Sequence, residues 1–165
     1  MATIHKLVQQ GELVNVTVPL SCREQPERLI YGFPEFKDWL DKVVPTLKSG
    51  RLRAPLTPAE QVDDLLYRWI TDRQMRFDRA LKDLMPRSDE VWEMKTADLR
   101  VFGWIYRSKT FIAVFGDFAD EYKPKDRFSR PKKSYEAARK KVIRARDFLE
   151  LDEPKYVTGG YDELI

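Results

Sequence analysis

The chain predicts an α+β fold: a twisted antiparallel sheet with helices packed on it, in the order β-α-α-β-β-β-α. Two observations carry this. Residues 91–116 hold three short β-rich runs, VWEMK, RVFGWIY and FIAVFG, separated by turn-length gaps. Amphipathic stretches with helix-start signals stand on either side of them, at 57–84 and 134–149.

At 165 residues, with 42% hydrophobic and 12% aromatic side chains, the chain is long enough to bury one core. From the N-terminus, ELVNVTV (12–18) alternates and reads as a first strand, which the preceding IHKLV extends or pairs with. SCREQPER (21–28) reads as a loop. PEFKDWLDKVV (34–44) puts Phe36, Trp39, Leu40, Val43 and Val44 on one helical stripe, started by Pro34 and ended by Pro45. KSGRLRAPL is the best internal boundary, dividing an N-terminal extension (1–55) from a core (56–150) and an acidic tail (151–165).

Thr57-Pro58-Ala59-Glu60 is a capping box with proline at the first helical position. The spacing predicts a helix to about Leu84, with Val62, Leu65, Leu66, Trp69, Phe77, Leu81 and Leu84 turned towards a sheet. On the second strand of the meander, Leu99, Val101, Gly103 and Ile105 share one face, and Arg100, Phe102, Trp104 and Tyr106 the other. The third strand is apolar on both faces, as a central strand is. A polar, basic loop (117–133) leads to the last helix, with Tyr135, Ala138, Val142, Ala145 and Leu149 inward and the bases outward. The tail is expected to be irregular.

Charge is unevenly placed. The net charge is +3, yet residues 121–146 hold eleven Lys/Arg against three acids, and 147–165 hold six acids against Lys155. The basic block is a footprint for a polyanion, or else a solvated helix face beside an acidic tail. One Cys (Cys22) and one His (His5) are too few for a disulfide or a metal site. The chain has no Gly-rich phosphate loop, no G-x-S-x-G elbow, no secretory h-region and no apolar run long enough for a span. The expectation is a cytoplasmic protein without cofactor or metal.

RNA cleavage suits such an inventory. The 2′-OH is the nucleophile, and the protein supplies a proton acceptor, a cation for the phosphorane and a donor to the leaving oxygen. Lys95 and Arg100 face each other across the first meander turn, and Tyr122, Lys123 and Lys125 follow the third strand. A meander is expected to end its third strand far from the 95/100 turn, so convergence depends on sheet curvature and the 117–133 loop. Trp104 and Tyr106 are candidate base-stacking rings. Arg107, Arg127, Arg130, Lys132, Lys133, Arg139 and Lys140 are candidate RNA-binding cations. Each residue also has a plainer reading: aromatics as core, Lys95 and Arg100 as turn charges, Tyr122 as a loop anchor, Tyr135 as helix packing.

The run from Glu93-Met94-Lys95 through Arg100-Val101-Phe102 and Phe111–Gly116 resembles the RelE/HigB superfamily of bacterial toxins and their phage-derived relatives. Lys123, Lys125 and the helix Tyr135–Arg146 extend the resemblance over about residues 57–150. It implies a small twisted-sheet fold, cleavage of messenger RNA, commonly on the ribosome, and neutralisation by a cognate antitoxin protein. Lys95 and Arg100 would be the transition-state cations, and Lys123 or Lys125 a further cation or acid. The chain departs from the pattern at Asp117-Phe118-Ala119-Asp120, where the family places bases. The alternative is a non-catalytic relative, of phage origin, that binds nucleic acid or a host protein.

Overall fold

The three runs of the meander form the centre of a six-stranded mixed sheet in the computed structural model, which describes residues 1–76 and 79–165. They are β4 (Trp92–Lys95), β5 (Leu99–Arg107) and β6 (Thr110–Phe118), consecutive and antiparallel. A short strand, β3 (Leu81–Asp83), pairs antiparallel with β4 at one edge. At the other side, β2 (Leu29–Gly32) runs parallel to β6 and carries the two-residue β1 (Val14–Asn15) as the outer edge. The order is therefore β1-β2-β6-β5-β4-β3, and the expected all-antiparallel sheet is mixed.

Both faces are covered, as the alternation on β5 requires. Leu99, Val101 and Ile105 belong to a core beneath α2 (Pro34–Asp38) and α3 (Pro58–Ile70). Phe102, Trp104 and Tyr106 belong to a second core, closed by α1 (Ile4–Gln9), α4 (Tyr135–Phe148) and residues 149–156. Gly116 keeps β6 flat for the first core: a Cβ there would lie 2.2 Å from the Trp39 ring. The predicted helix over 34–44 is present, and it continues past α2 as a π turn (Trp39–Val43) and a 3-10 turn (Val44–Thr46).

Several expectations need correction. α3 starts at its capping box but stops at Ile70, where Thr71 caps it and Asp72 turns left-handed (φ 57°). Leu81 lies in β3, not on a helix, and Phe77 lies outside the described residues. IHKLV is the helix α1, capped by Thr3, and only two residues of ELVNVTV are strand. LIYG, read as no element, is β2.

The boundary at 55 separates no layer, because β2 lies inside the sheet and Phe36 and Val44 lie in the same core as α3. Its linker is pinned: the Gly50 and Arg51 N–H groups donate to Asp98 and Asp120 at 3.0 Å each. The tail is part of the fold rather than irregular. Leu151 bridges Ala2, and Val157 donates to Ile105 O. The tail ends in α5 (Tyr161–Leu164), whose Leu164 enters the first core. Among the described residues, no helix is long and apolar enough to cross a membrane.

Candidate nucleic-acid interface

A groove of about 740 Å³ opens where β6 leaves the sheet and α4 begins. The end of β6 supplies Phe115 and Asp117, a 3-10 turn (Ala119–Tyr122) supplies Tyr122, and the loop into α4 supplies Arg130, Lys132, Lys133 and Tyr135. Lys141, two turns into α4, completes the rim. α4 begins here because the Ser134 hydroxyl accepts from the Ala137 N–H. The loop is tied back to the turn by the Lys133 N–H, which donates to Glu121 O at 2.9 Å.

The floor is aromatic. Phe102 stacks on Phe115 at 4.9 Å, Tyr122 packs against Phe102, and Tyr135 lies 4.9 Å from Tyr122. Lys141 Nζ sits 4.1 Å above the Phe115 ring. Tyr135, expected to face inward, is 39% exposed and forms the outer wall. Arg146, expected to point outward, is buried and donates to Asp89 O at 2.8 Å.

One carboxylate organises the mouth. Asp117 accepts from the Tyr122 hydroxyl at 2.7 Å and from Lys133 Nζ at 2.6 Å. Burial first, and then the bond to Asp117, push the Tyr122 phenol far above its ordinary pKa. It is a proton donor at neutral pH, not a base. The acidic run 117–120 is thus structural: Asp117 sets the groove, and Asp120 holds the linker at Arg51.

The register places Asp117 directly opposite Arg100, so β6 ends beside the 95/100 turn and not far from it. The catalytic set is nevertheless divided. Arg100 is 8% exposed, lies 3.8 Å from the buried Glu93 carboxylate, and donates to the carbonyls of Thr96 and Leu99. Lys95 opens on the α3 side, into a basin with Asp64, Arg68, Arg73 and Arg76. Lys123 is half-buried, 3.9 Å from Asp120, whereas Lys125 is exposed in the loop.

Of the predicted binding residues, Arg130, Lys132 and Lys133 line the groove, and Arg127 is exposed beside it in the chain. Lys140 pairs with Glu136 on the outer face of α4, and Arg139 is drawn to Asp89. The two rings expected to stack bases are core residues. Trp104 is 0% exposed and donates to Lys155 O, and Tyr106 is buried under Arg107, 3.9 Å from its ring centroid. Arg107 itself is bonded to Pro154 O, at the end of β5 remote from the groove. The tail that covers these rings does not line the groove.

Among the described residues no three His, Cys, Asp or Glu side chains gather as a metal site. Sequence reasoning missed the groove roles of Asp117, Phe115 and Lys141. Asp117 was signalled only by its position after the strand glycine. Comparison with known proteins finds no family model, no curated protein and no solved structure that matches the chain.

Proposed function

We propose that this chain binds RNA through the groove between β6 and α4. The observation that carries this reading is the groove's lining: Arg130, Lys132, Lys133 and Lys141 against one carboxylate, over an aromatic floor. Cations along a concave path neutralise backbone phosphates, and Tyr135, exposed at the outer wall, offers a ring to an unpaired base. The test is fluorescence anisotropy with a labelled 12-nucleotide RNA across a salt series. With Lys133 held by Asp117 and Lys132 by Glu121, Arg130 and Lys141 remain, so log K falls with log salt at a slope of about −1.4. Arg130→Ala with Lys141→Ala makes the slope shallower by about 1.4. A wild-type slope near zero, or no binding at low salt, overturns the reading.

Metal-independent cleavage of messenger RNA is the second reading, favoured by the Tyr122–Asp117–Lys133 array. Asp117 would take the 2′-OH proton as that oxygen attacks phosphorus, Lys133 would stabilise the phosphorane, and the Tyr122 hydroxyl would protonate the leaving 5′ oxygen. Binding is preferred because Lys95 and Arg100, the cations the RelE/HigB resemblance implies, do not line this groove. New RNA 5′ ends formed in EDTA by the wild type, and not by Asp117→Asn, would select cleavage.

A further inference from the structure

We infer that Phe128 is a base-stacking residue that makes the groove a reader of single strands. This rests on the RNA-binding reading above. Phe128 is 85% exposed, in the middle of the basic segment Asp126-Arg127-Phe128-Ser129-Arg130. Water-exposed rings are common singly and mean little by themselves. The backbone that carries this one is held in a turn. Asp126 Oδ1 accepts from the Phe128 and Ser129 N–H groups at 2.8 and 2.9 Å, and Ser129 Oγ accepts from the Asp126 N–H at 3.0 Å. The Arg127 guanidinium lies 4.6 Å from the ring centroid and covers one face. The other face is left to solvent. Two residues on, Arg130 enters the groove lining.

An aromatic face between cations, carried on a hydrogen-bonded turn, suits an unpaired base whose phosphates run along the cations. In a duplex the bases are already stacked on one another, so the ring finds no partner. Arg127 then has two functions: it presents the ring and meets a phosphate.

The test compares wild type, Phe128→Ala and Phe128→Trp with a labelled single-stranded 12-mer RNA and with the same 12-mer as duplex. Inorganic polyphosphate serves as a competitor that has no bases. Because Phe128 is exposed, the alanine variant folds as wild type, which circular dichroism checks. Phe128→Ala should weaken single-strand binding about tenfold, leaving duplex affinity and the protein's own affinity for polyphosphate unchanged, and Phe128→Trp should restore it. Unchanged single-strand affinity in Phe128→Ala overturns the inference while the RNA-binding reading stands. An equal loss for single strand and duplex overturns it too. Absence of wild-type binding to either RNA removes the underlying reading itself.

Discussion

Replacing Asp117 by asparagine should strengthen RNA binding. Among the described residues Asp117 is the one carboxylate lining the groove, beside four cations, and it holds Lys133 at 2.6 Å. The pair is partly solvated, with Lys133 46% exposed, so breaking it costs little, about 0–1 kcal/mol. Asparagine keeps a carbonyl to accept the Tyr122 hydroxyl, so the mouth retains its shape. Its charge is gone, and Lys133 becomes free to meet a phosphate. One further phosphate contact on a single strand changes the salt slope by about −0.7, from about −1.4 to about −2. At about 0.1 M salt the same factor corresponds to roughly fivefold tighter binding. Anisotropy titrations of both proteins at several salt concentrations measure both quantities. Unchanged affinity and slope would refute the argument that phosphates follow these cations. Lost RNA cleavage in the variant would move Asp117 from a restraint on Lys133 to a catalytic base.

Other expectations follow from the packing. Gly116→Ala drives a methyl group into the Trp39 ring, within 2.5 Å of three ring carbons, and should cost about 1–3 kcal/mol in urea unfolding; an unchanged midpoint would mean that Trp39 moves freely. Arg100→Ala removes the guanidinium 3.8 Å from the buried Glu93 carboxylate and the donor to the Thr96 and Leu99 carbonyls, and should destabilise by about 1–3 kcal/mol. A loss of function in that variant therefore reports folding unless thermal stability is wild type. Burial raises the Glu90 carboxyl pKa, so its ionisation works against the folded state. The contribution of the protonated form is complete below the ordinary carboxylate pKa and is lost as pH rises through the raised value. Glu90→Gln should therefore raise the melting temperature at pH 7 and lose that advantage near pH 4; an advantage that persists at pH 4 would contradict the assignment.

The central meander was legible because period-two alternation fixes both faces of β5 without reference to anything distant. Thr57-Pro58-Ala59-Glu60 announced the start of α3 by local chemistry. The end of α3 was hidden, because Leu81 and Leu84 continue its apolar spacing while the backbone at Leu81–Asp83 is taken by the ladder to β4. β2 escaped notice because four residues give little periodicity, and its pairing with β6 spans about half the chain. The basic block was readable as composition. The division of its cations was not: Asp89 drawing in Arg139 and Asp117 fixing Lys133 are contacts across the fold. Trp104 and Tyr106 looked like a stacking surface because alternation places them together. Only the folded tail and α1 decide that this face is core. Phe128 stands as the lone aromatic of residues 123–133 in the sequence, but only the fold shows that its ring is exposed.

Whether RNA touches the protein at the groove is the most direct question. A single-stranded RNA carrying 4-thiouridine, photo-crosslinked to the full chain and mapped by peptide mass spectrometry, answers it. The groove assignment predicts crosslinks within residues 115–141, concentrated at Phe128 and Tyr135. Crosslinks confined to the basin of Arg68, Arg73 and Lys95 would contradict it.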